Sequence, residues 1–414
     1  MDIPGLPARK GALKLIDAVL NRGETLDQAV NAALLGVKGQ ADRALARALA
    51  GESLRWLTDL DALIDSATRL ALAPDAKVRS VLRLMLAGWL RLETPPHAVI
   101  ATGLPLLSGG PRRLAHGVFS ALDKRAVTLP AVPTLPAAVL ARWGTRAPGI
   151  AAGLGHLPPL DLTLRDASET AAWAERLGGT SLLPGHVRLG RGTAVENLAG
   201  YDQGAWWVQD LAAGLPARLL GPGPKAATGR SVLDLCAAPG GKTLQLAAAG
   251  WHVTALDASA RRLERVEQNL ARTALTAAVV TADALEWHPP ALFDAVLLDA
   301  SCSATGTCRR HPDVLHRIGP RQIAEQAELQ AALLERAVSW VKPGGTLIYA
   351  VCSLEPEEGE AQAATVGLAL DPIRADELPA GLLPSADGYL RTDPGMLAEA
   401  GGIDGFFVAR WRKD

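Results

Sequence analysis

The 414-residue chain has only four cysteines, and no two of them form a Cys-x-x-Cys pair. So sparse and scattered a set excludes a disulfide framework and leaves reduced thiols in a cytosolic protein as the simplest reading. Histidine is scarce and dispersed as well, eight in all, so zinc-ligand spacing is missing and no metal is expected. No apolar run reaches the roughly 18 residues that a bilayer span needs. The opening Met1-Asp2-Ile3-Pro4-Gly5 has neither the basic region nor the apolar stretch of a secretion signal. No membrane partner is therefore expected, and the cytoplasm is the expected compartment. A large excess of one charge is also absent, the net value being −1.

What is present is 49% apolar and 21% charged residues, enough to bury real cores, in a length that suits two or three domains. The small net charge hides an asymmetry. Residues 1–127 carry 17 Lys+Arg against 12 Asp+Glu, a charge of +5, and the remainder 25 against 31, a charge of −6. A basic N-terminal third fits a polyanionic partner, although ordinary solvated helix faces explain the charge about equally well.

Residues 1–127 read as a helical domain. Leu13, Ile16, Val19 and Leu20 recur at helical spacing, and the stretches at 44–49, 60–67 and 78–92 behave alike. Gly23, Gly36, Gly39, Pro74, Pro95-Pro96 and Gly109-Gly110-Pro111 divide the pattern into about six or seven segments. Arg43, Arg47, Arg55, Arg79, Arg83 and Arg91 punctuate these helices, and guanidinium forks suit phosphate. The stretch resembles the NusB-like RNA-binding helical domain through Asp42-Arg43-Ala44-Leu45-Ala46-Arg47, Leu63-Ile64, Val78-Arg79-Ser80-Val81-Leu82-Arg83 and Pro95-Pro96-His97-Ala98-Val99. A helical packing domain without an RNA role is the competing reading.

Residues 128–160 read as a linker whose prolines (Pro130, Pro133, Pro136, Pro148, Pro158, Pro159) keep it out of regular structure. Residues 161–220 read as a small α+β subdomain, with strands at 160–164 and 187–189 around a helix at 169–177. Trp206-Trp207 could stack a base, but core packing is the better expectation.

From residue 221 onward strand and helix alternate. Strands are expected at 232–235, 252–257, 278–281, 295–299 and 346–351, helices at 243–249, 260–272 and 322–341, and a late antiparallel edge strand at 406–411. That alternation specifies a doubly wound, mostly parallel, Rossmann-like sheet over 221–414, whose ligands bind beyond the carboxyl ends of the strands. Asp257, Asp283, Asp299 and Cys352 all fall at that edge.

A glycine-rich turn, Leu233-Asp234-Leu235-Cys236-Ala237-Ala238-Pro239-Gly240-Gly241-Lys242-Thr243, follows the first of these strands. Its Gly-Lys-Thr end matches a P-loop, but the first glycine of that motif would fall on Cys236. Asp257, about 20 residues past the turn at a strand end, suits the ribose of an adenosine-containing cofactor instead. Downstream, two cysteines follow strand ends, each with serine after it: Ser301-Cys302-Ser303 and Val351-Cys352-Ser353.

These features together are similar to one family. Residues 236–243, Asp299 to Gly306, Arg309-Arg310-His311-Pro312-Asp313, Lys342-Pro343-Gly344-Gly345, Tyr349 to Ser353 and Gly405-Phe406-Phe407 resemble the RsmB (Sun/Fmu) family of bacterial small-subunit rRNA (cytosine-C5) methyltransferases. The resemblance covers nearly the whole chain and is strongest from about residue 200. It implies a class I S-adenosylmethionine-dependent methyltransferase domain in which Cys236, Ala237, Ala238, Pro239, Gly240, Gly241, Lys242, Asp257, Asp283 and Asp299 contact the cofactor. It also implies that Cys352 is the nucleophile, that Cys302 assists product release, and that ribosomal RNA is the partner of a monomeric enzyme. Cytosine C5 is a poor nucleophile, and a thiolate adding to C6 makes it an enamine carbon, dividing one hard step into two easier ones. Asp299, beside both cofactor and base, is placed to hydrogen-bond the cytosine edge. The target must be unstacked.

Arg309, Arg310 and His311 are expected to contact substrate phosphates, with a solvated loop as the alternative. Cys236 and Cys308 read as a buried packing residue and a bystander. The acids of Glu355-Pro356-Glu357-Glu358-Gly359-Glu360 read as helix-opening charges rather than metal ligands. Two positions depart from the family: proline is usual where this chain has Ser301, and threonine where it has Val351. Two rivals remain at this level, the same chemistry on transfer RNA and a non-catalytic ribosome-assembly factor with the same fold.

Overall fold

The computed structural model describes residues 3–190, 194–223 and 230–414. Contacts within the chain define two compact units, Met1–His156 with Cys308–Ile318, and Leu157–Thr307 with Gly319–Asp414.

The first unit is helical. Helices Leu6–Arg22, Leu26–Ala33, Gln40–Arg55, Leu57–Ser66, Lys77–Leu90, Pro96–Gly103 and Gly109–Lys124 follow the segmentation read from the sequence. Thr25 opens the second with a reciprocal capping box to Gln28. One apolar cluster gathers Leu15, Ile16, Leu34 and Leu49, and another Trp56, Leu60, Ile64, Leu82 and Phe119.

Three expectations about this unit need correcting. The 128–160 stretch is not irregular, because helices Ala137–Trp143 and Ala147–Leu154 lie within it. Its prolines open these helices: Pro136 stands at one N-cap and Pro148 in the other's first turn, where a fixed φ and a missing N–H cost nothing. Val139, Trp143, Ile150 and Leu154 are buried, so the stretch is packed structure rather than a linker. The segment Cys308–Ile318 also packs with this unit rather than with the α/β unit whose sequence surrounds it. Arg55 Nη2 donates to Arg309 O at 2.8 Å, Arg142 Nη1 to Ile318 O at 3.3 Å, and His316 Nε2 pairs with Leu54 O at 2.7 Å.

The third correction concerns the arginines read as phosphate contacts. Arg83 makes a two-pronged pair with Asp61 at 2.8 Å on both sides, and Arg79 reaches Asp61 at 3.0 Å and also Asp65. Arg55 and Arg91 share Glu52, at 3.1 and 3.0 Å, and Arg91 also lies 4.7 Å over the ring of Trp56. Arg43 Nη1 donates to Leu34 O at 3.0 Å. Of the six, Arg47 alone is exposed. The helical spacing that made these arginines visible in the sequence also turns Arg79 and Arg83 toward aspartates on the neighbouring helix Leu57–Ser66.

The second unit begins with an antiparallel sheet in the order β2-β1-β3, formed by β1 (Leu160–Leu164), β2 (His186–Leu189) and β3 (Trp206–Val208), with helix Thr170–Leu177 beside it. Trp206 and Trp207 are buried, so core packing is their role, as expected. The buried Asp161 receives both prongs of Arg188 at 2.7 Å, and that guanidinium continues to Ala400 O and Gly402 O at 2.6 and 2.8 Å.

The larger sheet contains β4 (Ser231–Leu235), β5 (His252–Asp257), β6 (Ala278–Thr281), β7 (Phe293–Asp299), β8 (Val341–Val351), β9 (Ala369–Leu370), β10 (Leu390–Thr392) and β11 (Phe406–Arg412). Its order is β10-β11-β8-β7-β4-β5-β6, with β9 also on β11. Strands β8, β7, β4, β5 and β6 run parallel and β11 antiparallel to β8. Strand β11 is not the edge strand expected, since β10 pairs outside it. Three residues are too few to show a strand period in sequence. The strand order reverses between β4 and β7, which opens a crevice at their carboxyl ends. Helices Gly241–Ala248, Ala260–Thr273 and Pro320–Trp340 fall within two residues of their sequence-derived bounds.

Glu52→Ala should strip two guanidinium groups of their shared carboxylate and destabilise the helical unit by about 3–5 kcal/mol. Chemical denaturation followed by helical circular dichroism measures this. A loss below about 1 kcal/mol, the range of surface pairs, would mean that the network is not a structural tie.

Candidate active site

The site is assembled from five strand ends. Strand β4 terminates at Leu235, and Cys236 leaves it in the left-handed region, φ 59°. Residues 237–241 then curl back across the edge. Ala237 N donates to Leu256 O at 3.0 Å, and Ala238 N to Asp257 Oδ2 at 3.2 Å, which binds the turn to the end of β5. Gly240 sits at φ 102°, where an added Cβ would lie 3.1 Å from Val266 Cγ1, so position 240 has room only for glycine. Asp257 is 97% buried and also accepts from Ser259 N at 3.0 Å. The half-exposed Arg262 lies 3.3 Å from Asp257 Oδ2 and donates to Ala238 O at 2.6 Å. Asp257 thus latches the turn in place, with Arg262 over it. Asp283 is exposed two residues beyond β6, where its Oδ1 accepts from Leu285 N at 2.9 Å.

The Gly-Lys-Thr sequence is not used as a P-loop. Thr243 Oγ1 donates to Asp234 Oδ2 at 2.5 Å, and Lys242 Nζ donates to Asp299 Oδ2 at 2.6 Å while lying 5.2 Å from the ring centroid of Phe406. The hydroxyl and ammonium that would serve Mg²⁺ and phosphate are both committed to carboxylates. Burial pushes Asp234 up to about 7 despite the Thr243 hydrogen bond. An edge carrying Asp257, Asp283 and Asp299 repels phosphate and suits ribose hydroxyls and a cationic ligand, so these residues fit an adenosyl sulfonium and not a nucleoside triphosphate. Asp299 is partly exposed, and its Oδ1 has no protein partner among the described residues.

Two thiols meet at the next pair of strand ends. Strands β7 and β8 pair in register at Asp299 and Ala350, and Ala300 N donates to Ala350 O at 2.9 Å. One short loop beyond each strand carries a cysteine, and the sulfurs of Cys302 and Cys352 lie 3.4 Å apart, both half-buried. Gly306 N donates to Cys352 O at 3.0 Å, and Gly405 N to Gly306 O at 2.8 Å. A Cβ on Gly306 would come within 2.0 Å of Gly405 O, so only glycine lets these segments close on one another. The adjacent Cys352 thiol, reinforced by burial, holds the Cys302 pKa well above that of a free thiol. Burial pushes Cys236 up to about 12, which keeps it a neutral thiol in the turn. Ser301 is exposed, and Val351 is wholly buried.

Sequence reasoning missed the carboxylate beneath this pair. Glu358 is fully buried, and the short helix Glu360–Ala363 begins only after it. Its Oε1 accepts from Ser303 N at 2.8 Å and Gln330 Nε2 at 3.1 Å. Its Oε2 accepts from Ser353 Oγ at 2.5 Å and from Ser303 Oγ. The signal available was the serine that follows each cysteine. Of the expected phosphate contacts, Arg309 is 98% buried in the helical unit, while Arg310 and His311 remain partly exposed, His311 lying 3.6 Å from Asp27. Burial withdraws Arg309 from that role. Cys308 is fully buried. Among the described residues, no cluster of three or more His, Cys, Asp or Glu could hold a metal ion, and no helix is long and apolar enough to cross a membrane.

Known proteins resemble this chain over nearly its whole length. The model of the family described as 16S rRNA methyltransferase RsmB/F matches residues 222–412, and the NusB family model matches residues 6–106. Ribosomal RNA small subunit methyltransferase B of Xanthomonas campestris pv. campestris is 34% identical, covering 98% of this chain and 97% of that protein. The protein of the same name from Erwinia tasmaniensis is 34% identical, covering 96% and 97%. Among solved structures, PH0851 superposes over 100% of both chains with a TM-score of 0.72 at 21% identity, a likeness of fold. A methyltransferase homolog protein from Pyrococcus horikoshii covers 67% of this chain and 93% of its own, with a TM-score of 0.56 at 26% identity. The chain belongs to the 16S rRNA methyltransferase RsmB/F family, and its cofactor is S-adenosylmethionine.

Proposed function

We propose that this protein methylates C5 of a cytosine in small-subunit ribosomal RNA through a transient bond between Cys352 Sγ and C6, with Cys302 releasing the product. The observation that carries this reading is the pair of sulfurs 3.4 Å apart beyond neighbouring parallel strands, next to an acid-lined cofactor edge. The family relatives, named for small-subunit ribosomal RNA, supply the substrate class. A bacterial ribosomal substrate would place the work in the cytoplasm.

S-adenosylmethionine supplies an electrophilic methyl group, and the turn at 236–242 with Asp283 would hold it. Asp257 would reach the ribose only if Arg262, which is half exposed, swings aside. The chain's own part begins with the thiols. Cys302 keeps its proton and can donate it toward Cys352, which leaves Cys352 as the attacking sulfur. With its own proton passed to solvent, that sulfur adds to C6 as a thiolate; the C5–C6 double bond breaks and its electron pair is left on C5, which becomes the nucleophilic carbon. Asp299, held by Lys242, presents its second oxygen to the base edge. After C5 is methylated, its proton must leave as the S–C6 bond breaks. Once Cys352 is bonded to carbon, the thiol contact that most strongly held Cys302 protonated has gone, so Cys302 can release its own proton to solvent. As a thiolate it then takes the C5 proton, the C–H electron pair re-forms the C5–C6 double bond, and Cys352 leaves with the S–C6 pair.

Incubation with labelled cofactor and unmodified 16S rRNA tests the assignment. Cys352→Ala should lose transfer by on the order of 10³-fold or more. Cys302→Ala should instead accumulate a denaturation-resistant protein–RNA adduct, and an adduct with the Cys352 variant in its place would reverse the two roles. Transfer RNA offered in parallel should not be modified, and preferential labelling of it would move the substrate class.

A Cys302 thiol that must ionise before it can take the C5 proton gives release a pH dependence. The thiolate fraction grows with pH, so decay of preformed adduct after a cold chase should accelerate roughly tenfold per unit between pH 6 and 8. The Cys302→Ala adduct should decay without that slope. A flat profile in the parent enzyme would remove Cys302 from the elimination step.

A further inference from the structure

We propose that Glu358 is the positioning residue that fixes the spacing of the two thiols, clamping both cysteine loops from below. This deepens the catalytic reading above and rests on it for its meaning, but the geometry stands by itself.

The residue after each cysteine turns inward onto the same carboxylate. Ser303 gives it a backbone N–H at 2.8 Å as well as its hydroxyl, and Ser353 gives its hydroxyl at 2.5 Å. The two hydroxyls lie 3.1 Å apart, and Thr305 Oγ1, 3.3 Å from Ser353 Oγ, accepts Leu354 N at 3.0 Å. Both loops are therefore tied to one group and to each other. That group is itself immobilised. Tyr349 OH donates to Glu358 O at 2.6 Å, and the buried Gln330 divides its amide between Ser301 O at 2.9 Å and Glu358 Oε1. Arg391 donates to Ser353 O and pairs with Glu360, closing the rear of the loop.

A buried carboxylate is costly unless several donors surround it. Among the described residues, the donors to its carboxylate oxygens come from the two cysteine loops and from Gln330, which also holds the first loop. Nothing in the arrangement brings Glu358 to the substrate side, so it acts through the two serines. The thiols need such a fixture because each lies on a loop, and a displacement of about 1 Å in a catalytic group can cost on the order of 10²-fold in rate.

Proximity of the sulfurs can be read without any methylation assay. Diamide accepts the two electrons and two protons released when two thiols join, so its rate of closing a Cys302–Cys352 disulfide in the full-length protein reports their spacing. Non-reducing peptide mass spectrometry follows the product. Glu358→Ala should slow closure about tenfold or more, because bonding needs the sulfurs to approach from 3.4 Å to about 2 Å in one defined geometry. In the same variant, kcat should fall by on the order of 10²-fold while the KM for S-adenosylmethionine stays within about twofold. Glu358→Gln should recover most of both, since the serine hydroxyls can rotate and accept from its amide.

A folded Glu358→Ala protein that closes the disulfide at the parental rate overturns the proposal. So does a Glu358→Gln protein as impaired as Glu358→Ala, which would assign the residue a role through its charge. If Glu358→Ala does not fold, Ser353→Ala replaces it, with a smaller slowing expected and an unchanged rate counting against the clamp. Should the parent enzyme methylate no RNA while the closure rates follow the expected order, the clamp stands and the catalytic reading falls.

Discussion

The parallel pairing of β7 with β8 is the constraint on which the site depends. With Asp299 opposite Ala350, and one further hydrogen bond from Ala300, the two strands end level with one another. A slip of one residue would turn the alternate faces over and carry one sulfur away from the other. The run of buried residues from Ala295 to Leu298 and from Leu347 to Val351 resists such a slip, because both faces of these strands are covered. Glu358 and Gly306 then refine a placement that the sheet has already made.

Charge is distributed over the same edge in matched sets. Lys242 meets Asp299, Arg262 meets Asp257, and Thr243 meets Asp234, so a motif that reads in sequence as phosphate-binding carries no free cation. The surplus is negative, which suits a sulfonium and the hydroxyls of a ribose. The second Asp299 oxygen is the exception, since only its Oδ2 is held by Lys242.

Much of this was legible in the residues themselves. The hydrophobic runs between 232 and 351, punctuated by Asp257 and Asp299, were enough to draw a doubly wound sheet with its ligand edge, and the serine after each of Cys302 and Cys352 marked the two loops whose sulfurs meet. The unread parts share a physical reason, namely that single-residue signals have two uses. An arginine on a helix can meet phosphate or a neighbouring aspartate, and Arg79 and Arg83 took the aspartates. A proline can interrupt a chain or open a helix, and Pro136 and Pro148 open helices. A glutamate before a helix can serve the dipole or turn inward, and Glu358 turns inward onto the nearby Ser353 and onto Ser303, which lies far back in the sequence. Long-range partners decide such cases, and no local pattern records them.

The assignment of Cys308–Ile318 to the helical unit has a bearing on how this protein can be divided. A fragment cut after residue 156 would end short of its own material: the Leu54 carbonyl would lose His316, and the Arg55 guanidinium would lose the Arg309 carbonyl. A fragment beginning at residue 157 would display Cys308, Val314 and Leu315, all buried in the intact chain, as a greasy excursion without a bed. The two halves are thus threaded rather than strung, and neither recombination nor laboratory dissection at a single joint would yield two complete modules.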